Sequence, residues 1–444
     1  MPRDHIKKLV EGLQEQSERL VEDIQGHGER LVGDLQGHGE RLVGDLQERT
    51  ARHKERNRPS GYDFALADHI DMLNPAHWDQ VTAGGSLFLQ RDYLKHLAER
   101  GPDELSGRYA IVYEGTTPRA AVAAQVVELS AEKFVATQET NTAERLQAAL
   151  LREVRDTVLV CGNLLSSGCH GVAFAPDADP AEVWAGVAEA LYRLRRADKL
   201  RGQPEYVLVK DIPEPLHEQA STLARYSYRP IEGGAEMVLD LRDWTSFDDY
   251  TASLTSRYRR TVRKIDRQIE QAGCEVAPLD DLWPHRHELH ALYMNVVSRA
   301  GARPTSMTPD YLAGLKTIWG DRFRCTVIRR DTSILGFVTT ILDGDTAIGY
   351  YLGIDYDANA DLPLYHRLLQ QTIADGLDGG CRRVSMGRTA LEPKARLGAT
   401  AVPLRMWMRH RVAALNVVMR EFFSLVPYEE PPERNPFKDE PADS

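Results

Sequence analysis

Apolar residues recur every 11 positions along the first fifty residues of the chain. Leu9, Leu20, Leu31 and Leu42 occupy the same phase of this repeat. A period of 11 corresponds to about 3.67 residues per turn and keeps the apolar stripe on one helix face. Each glycine in the repeat costs about 1 kcal/mol in a helix. Residues 1–56 therefore predict a marginal amphipathic helix that only a partner would stabilise. We expect a chemically silent tail, a self-associating segment that makes a homo-oligomer, or a membrane-surface helix, in that order.

From residue 62 the pattern becomes that of a mixed α/β protein. Apolar runs predict strands at 108–115, 120–129, 156–174, 205–212 and 235–241, with helices at 181–200 and 214–226. After Trp244 the pattern restarts with a long amphipathic helix, 246–273. The elements predicted after it are helices near 286–300 and from 309, strands at 324–331, 333–345 and 346–355, a helix at 362–380, a strand at 381–388 and a last helix at about 405–425.

This restart predicts two structurally related α/β domains, 57–243 and 244–430, between the repeat and a disordered tail, 431–444. The tail is expected to be disordered because it is rich in proline and charge.

Composition narrows the classes of function. The chain has 444 residues, of which 42% are apolar, and a formal net charge of -11. An acidic balance argues against a general nucleic-acid binder, although residues 257–267 are locally basic. The five cysteines form no C-x-x-C pair, so neither a zinc site nor a disulfide framework is expected and the thiols predict a cytoplasmic protein. No apolar run of about 18 residues occurs, and no membrane span is expected.

Three segments resemble a known family. The segments YTASLTSRYRRTVRK, YYLGIDYDANADLPLYHRLLQQTI and GRTALEPKARLGA are similar to the opening helix, the fourth strand with its loop and helix, and the strand-end segment of Fem-type peptidyltransferases. These proteins are GNAT-superfamily acyltransferases with two tandem GNAT-like domains. The resemblance covers roughly residues 62–438. It implies tandem GNAT-like domains that transfer an acyl or aminoacyl group from an activated donor to an amine of a small molecule or peptide.

The donor implied by the resemblance stays open between acyl-CoA and aminoacyl-tRNA, with no tightly bound cofactor. Acetyl-CoA-binding GNAT domains carry a Gly-rich pyrophosphate loop after the fourth strand. Here residues 357–363 read DANADLP, with two acids and no glycine. Two carboxylates would oppose a phosphate electrostatically even where helix N–H groups could bind one. The alternative is a catalytically silent GNAT-like binding or scaffold protein.

The candidate site residues lie near the ends of the fourth and fifth strands of the second half. Asp355 is a candidate base or amine anchor, and Tyr351 or Tyr350 a candidate proton donor, since one of the two alternating phenols should face the cleft. Gly387 would mark where the fifth strand leaves the sheet. The remaining candidates are Arg388 and Lys394 as cations for the donor, Glu392 as a partner of Lys394 or of the amine, Tyr365 and His366 at the next helix, and Asn163, Ser166, Ser167, His170, Lys210 and Asp211 for the acceptor.

Overall fold

The computed structural model describes residues 58–130, 155–299, 305–412, 416 and 432–438. The predicted repeat helix, 1–56, lies outside these residues, as do residue 431 and residues 439–444 of the predicted tail, 431–444.

Thirteen strands and eleven α-helices make up the part that the structure describes. The strands are β1 Asp63–Ala67, β2 Ser106–Glu114, β3 Thr117–Ser130, β4 Arg155–Cys161, β5 Val172–Phe174, β6 Tyr206–Pro213, β7 Arg229–Asp240, β8 Glu275–Pro278, β9 Phe323–Arg330, β10 Ser333–Asp343, β11 Thr346–Ile354, β12 Arg383–Ser385 and β13 Thr400–His410. The helices are α1 Pro75–Thr82, α2 Arg91–Arg100, α3 Pro180–Ala197, α4 His217–Ala220, α5 Phe247–Ser253, α6 Ser256–Gln271, α7 Arg286–Arg299, α8 Asp310–Trp319, α9 Tyr356–Asp361, α10 Leu364–Asp378 and α11 Leu391–Ala395. The predicted mixed α/β class is confirmed.

All strands join one sheet in the order β1-β2-β3-β4-β6-β13-β7-β12-β11-β10-β9-β8, with β5 added beside β3. The pairs β4/β6 and β11/β12 are parallel, and the other pairs are antiparallel. Strand β13, from the end of the chain, lies between β6 and β7, and β7 in turn pairs with β12. The halves thus exchange their last strands across the predicted boundary at 243/244. That boundary itself stays a prediction.

Two predicted helices were wrong in part. Residues 400–410 form β13 rather than the start of a helix, because this segment hydrogen-bonds to a strand on each side and tertiary pairing overrides local preference. The helix predicted over 246–273 is two helices, α5 and α6. Leu254 and Thr255 are extended between them: Leu254 is fully buried and bridges Phe437, and the Thr255 N–H donates to the Pro436 carbonyl over 2.9 Å.

An aromatic cluster packs the two halves together on one side of the sheet. The ring of Tyr93, on α2, stacks on Trp319, on α8, with centroids 5.3 Å apart. Phe88 meets the edges of both rings at 5.1 and 5.6 Å. Stacked and edge-to-face pairs of this kind contribute beyond the area that they bury. They hold the first half against the second.

Candidate functional site

Both parallel strand pairs open at their carboxyl ends. Strands β11 and β12 pair through Ile348 and Ser385, and β4 and β6 pair through Cys161 and Val209. Beyond these residues each pair separates. Ligands of open α/β sheets bind outside the carboxyl ends of strands at such points. Parallel pairing thus ends at two places in the sheet, which we call openings, and Gly387, where the fifth strand was expected to leave the sheet, lies two residues beyond Ser385.

Charged side chains connect the two openings. We call this set the charged cluster, and its members are Lys210, Asp211, Glu236, Ser385, Arg388 and Lys394. The cluster draws on β6, β7, β12 and α11, so its assembly depends on the strand exchange described above.

Asp211 is the centre of the charged cluster. Its carboxylate is fully buried and accepts hydrogen bonds from the Lys210 ammonium, the Arg388 guanidinium and, at 3.2 Å, the Gly168 N–H. Lys210 also donates to the Ser166 carbonyl oxygen over 2.7 Å. Asp211 has a φ of 58°, in the left-handed region. Unfavourable backbone conformations of this kind persist where the surroundings fix them, and they concentrate at functional sites.

Glu236 and Lys394 lie in an environment that disfavours charge. Burial raises the pKa of Glu236, whose carboxylate accepts a 2.6 Å hydrogen bond from the Ser385 hydroxyl. Burial lowers the pKa of Lys394 to about 8, against a smaller opposing effect of Glu236. Lys394 is only 3% exposed, and its ammonium forms no hydrogen bond or ion pair with the described residues. A buried amine that stays unpaired and titrates near neutral pH is typical of functional lysines.

Two further hydrogen-bond donors of this region are unused. Within the described part of the chain, the Arg388 Nε and the Ser166 Oγ are buried and have no partner. Buried polar groups are normally paired, so each exception calls for an explanation. These two donors suit the oxygens of an anionic ligand.

The structure brings three predicted residues together at this site. Gly387 has a φ of 73°, and a Cβ there would lie 3.9 Å from the Lys394 Nζ. Arg388 follows directly and reaches Asp211. Lys394, on α11, completes the group, and the acceptor candidates Lys210, Asp211 and Ser166 join it from the first half.

Other predicted residues lie elsewhere. The expected pairing of Glu392 with Lys394 was wrong. Glu392 pairs instead with Arg396 at 2.8 Å and with Arg434 at 3.1 Å, and these hydrogen bonds lower its pKa. Its carboxylate is on the surface because α11 turns Lys394 inward and Glu392 outward.

Asp355 and Tyr365 take part in helix starts. The Asp355 carboxylate caps α9 by accepting from the N–H groups of Asp357 and Ala358 at 2.9 and 3.2 Å. The Tyr365 N–H donates to the Asn359 side chain over 3.1 Å. In both cases a side-chain oxygen accepts from N–H groups at a helix start, as helix-capping residues do. Burial raises the pKa of the Tyr365 phenol to about 12. Burial also lowers the pKa of His366, beside Tyr365.

Tyr350 and Tyr351 do not alternate across β11 as expected. Val338 faces Leu352 and Thr340 faces Gly349, so the two tyrosines oppose the single residue Thr339. This is a β-bulge, which inserts one residue and redirects side chains. Both rings consequently pack on the same apolar cluster, with centroids 4.5 Å apart.

Each phenol of the bulge reaches a different partner. The Tyr351 hydroxyl donates to the Leu165 carbonyl over 3.0 Å, and the Tyr350 hydroxyl lies 2.8 Å from that of Tyr311. The remaining acceptor candidates are Asn163, Ser167 and His170. Asn163 and His170 are buried in the first half and make their own hydrogen bonds, and the His170 Nε2 lies 2.7 Å from the Ser167 carbonyl oxygen.

Glu236 and Ser385 were missed by sequence reasoning. The glutamate in the apolar run AEMVLDL could have indicated Glu236. A charged residue is unusual in a strand that lies between two others, because charged side chains are rarely buried without a partner.

The described residues contain no group of His, Cys, Asp or Glu that could hold a metal ion. None of the described helices is both long enough and apolar enough to cross a membrane.

Comparison with known proteins finds a family similarity within the second half. Residues 256–395 match the model of the acetyltransferase (GNAT) domain. This segment is therefore similar to a GNAT acyltransferase domain, and the predicted GNAT resemblance is confirmed. No curated protein sequence matches the chain.

Solved structures with similar chains include three of note. A crystal structure of FemX is 10% identical with a TM-score of 0.49, and the match covers 81% of this chain and 99% of that one. The C-terminal domain of a putative lysylphosphatidylglycerol synthetase from Agrobacterium fabrum is 11% identical, with a TM-score of 0.46 and coverages of 79% and 96%. A tandem GNAT protein from the clavulanic acid biosynthesis pathway is 12% identical, with a TM-score of 0.45 and coverages of 79% and 98%.

Proposed function

We propose that this protein transfers an acyl or aminoacyl group from an activated donor to an amine acceptor, and that the reaction takes place at the charged cluster. The observation that carries the proposal is Lys394, a buried amine without a partner and with a pKa of about 8. The match of residues 256–395 to the GNAT domain supports the reaction class.

Amine acylation requires that the acceptor ammonium lose a proton. General bases work best when their pKa lies near the operating pH. Lys394 in its neutral form meets this requirement and accepts the proton. Arg388 Nε and Ser166 Oγ donate to an anionic group, a phosphate or carboxylate, of one of the two substrates. Asp211 holds Arg388 in place, because its carboxylate fixes the far end of the guanidinium.

The start of α10 favours a donor other than an acyl-CoA. The Tyr365 N–H at this helix start is already engaged by the Asn359 side chain, and the N–H groups that open the preceding helix, α9, are engaged by the Asp355 carboxylate. Asp357 and Asp361 add negative charge to the same loop. A pyrophosphate would have to displace these contacts and approach two carboxylates, which would repel it.

The exposed face of α6 supports an acylated tRNA as the donor. Its cations are exposed and form no ion pair within the described ranges; they are Arg257, Arg260, Arg263, Lys264 and Arg267. In a chain of net charge -11, such a concentration of unpaired positive charge is suited to a phosphate backbone. The predicted tRNA partner thus remains part of the proposal.

A donor panel tests the function. Purified full-length protein would be incubated with acetyl-CoA, succinyl-CoA or a mixture of aminoacyl-tRNAs, each with hydroxylamine or a lysine-containing peptide as the acceptor. We expect acylation of the amine, and loss of that activity in Lys394→Met at an unchanged folded fraction. Full activity in Lys394→Met would refute the placement of the reaction, and no turnover with any donor would favour the silent binding protein.

A further inference from the structure

A short segment near the end of the chain, residues 432–438, packs on the second half, and we call it the strap. It crosses the extended junction between α5 and α6. The Thr255 N–H donates to the Pro436 carbonyl over 2.9 Å, and Leu254, beside it, forms an antiparallel β-bridge with Phe437. This backbone pairing fixes where the strap lies on the junction.

The ring of Phe437 fits against the bare backbone of Gly398. A Cβ at position 398 would lie 2.2 Å from the Phe437 Cζ, so that a side chain there would force the ring out. Gly398 also has a φ of 94°, which glycine adopts readily. The ring further contacts Trp244 and Tyr250, with centroids 5.3 and 6.3 Å apart, and Phe437 is only 9% exposed. Phe437 thus lies between the start of α5 and the residues that follow α11.

The strap also contacts α11 itself. The Arg434 guanidinium pairs at 3.1 Å with Glu392, in the first turn of this helix. Phe437 belongs to the same buried apolar cluster as Leu391 and Ala395, at the two ends of α11. Because partly exposed ion pairs contribute little to stability, the apolar contacts of Phe437 are the stronger part of this attachment.

Helix α11 depends on such contacts because little else keeps it in place. It has five residues, whereas isolated helices shorter than about 12–15 residues are marginal in water. Ala390, before its first residue, has a φ of 52° in the left-handed region, which is unfavourable for alanine. Within the described part of the chain no side chain caps the helix start. Tertiary packing therefore holds α11, and Lys394 is held with it.

We propose that Phe437 is a positioning residue, which keeps α11 in place and thereby keeps the Lys394 amine buried at the charged cluster. This inference rests on the proposed acyl transfer, in which that amine accepts the proton of the acceptor. Phe437 acts through Lys394 and takes no part in the chemistry itself.

The protonation of Lys394 reports whether α11 is in place. The charged groups of the neighbouring segments are Glu236 on β7, Arg388 after β12, Glu392 on α11 and Arg434 on the strap. The last three are paired elsewhere, and Glu236 opposes the effect of burial on the pKa of Lys394. Since burial is the larger effect, admitting water should raise this pKa from about 8 toward its ordinary value of 10.5.

Trace acetylation of the full-length protein with acetic anhydride tests the inference. The yield at Lys394, read by mass spectrometry against pH and scaled to its plateau, follows the neutral amine and needs no turnover. The midpoint should lie near 8 in the wild type and move toward 10.5 in Phe437→Ala. Phe437→Leu keeps part of the apolar contact and should show a smaller shift. Glu433→Gln, at an exposed position of the strap, is the matched control and should keep the wild-type midpoint.

The donor panel described above connects this placement with the reaction. Only the neutral amine acts as a base, so kcat at neutral pH should fall about tenfold for each unit by which the pKa of Lys394 rises. The acid limb of kcat against pH should move by the same amount. A mere loss of folded protein would instead lower kcat at every pH and leave this limb where it is.

The outcomes separate the inference from the function on which it rests. An unchanged midpoint in Phe437→Ala, or in Phe437→Leu should the alanine variant not fold, would overturn the role of Phe437. An equal shift in Glu433→Gln, or a lower kcat without movement of the acid limb, would overturn it as well. A shifted midpoint in a protein that shows no turnover with any donor would support the placement of α11 by Phe437 and overturn the acyl transfer.

Discussion

Replacing Asp211 by asparagine removes a buried negative charge that Lys210 and Arg388 both contact. Removing one partner of a buried ion pair typically costs 3–5 kcal/mol, because the remaining charge is left uncompensated. Here the Arg388 side chain is 26% exposed and can regain water, whereas the Lys210 side chain is 10% exposed and cannot. We therefore expect Asp211→Asn to lower the free energy of unfolding by about 2–3 kcal/mol, below the full penalty.

Asp211→Ala should cost more than Asp211→Asn. The φ of 58° lies in a region that asparagine tolerates, whereas alanine is strained there by about 1–2 kcal/mol. Alanine also leaves the Gly168 N–H without an acceptor, whereas the side-chain carbonyl oxygen of asparagine can accept this hydrogen bond. Both variants remove the negative charge. The difference between their free energies of unfolding therefore measures the backbone strain and the lost hydrogen bond alone.

Urea denaturation followed by tryptophan fluorescence and by circular dichroism measures both variants. Glu232→Gln, at an exposed position of β7, is the matched control and should shift the free energy of unfolding by less than about 0.5 kcal/mol. Losses below about 1 kcal/mol in both Asp211 variants would show that the cluster is solvated in solution, and the electrostatic reasoning above would fail.

Three further perturbations test other parts of the molecule. Lys394→Met should stabilise the protein by about 3 kcal/mol below pH 8, the value of the difference between a pKa of 10.5 in the unfolded chain and about 8 in the folded one. Below pH 8 the folded wild-type protein buries a charged ammonium. The advantage should shrink between pH 8 and 10.5 and vanish above that range, where the lysine is neutral in both folded and unfolded chains. A pH-independent difference in urea titrations would contradict this. Reversing two cations of α6, Arg260→Glu with Arg263→Glu, should weaken tRNA binding and flatten its salt dependence, and unchanged filter-binding curves at 50 and about 200 mM salt would exclude that face. Leu20→Ser with Leu31→Ser should lower the mass measured by light scattering if the repeat associates, and an unchanged mass would exclude self-association.

The order of elements could be predicted because local patterns specify it. The strands β9, β10 and β11 were predicted from alternating apolar residues between tight turns, and Gly344 takes the positive φ that such a turn needs. The position of Gly387 at a strand end was predicted for the same reason. The part of the site that comes from the second half of the chain could therefore be predicted from local sequence.

Long-range pairing could not be read from local pattern. Residues 400–410 become a strand because β6 and β7 flank them, and both partners are more than 150 residues away along the chain. The same holds for Arg388, whose partner Asp211 belongs to the other half. The bulge in β11 was missed as well, since it depends on Thr339 in the neighbouring strand, whose hydroxyl bonds both the N–H and the carbonyl of Tyr351.

The exchange of β7 and β13 between the two halves affects how the chain can fold during its synthesis. A ribosome delivers β6 and β7 long before β13, and domains generally fold as units in the order of synthesis. In this protein the first half cannot complete its sheet until His410, the last residue of β13, has emerged. Until then β6 presents an unpaired edge that invites association with other chains. The nascent protein thus needs protection through nearly its whole translation, and a premature stop after the first half yields an aggregation-prone fragment instead of a working domain.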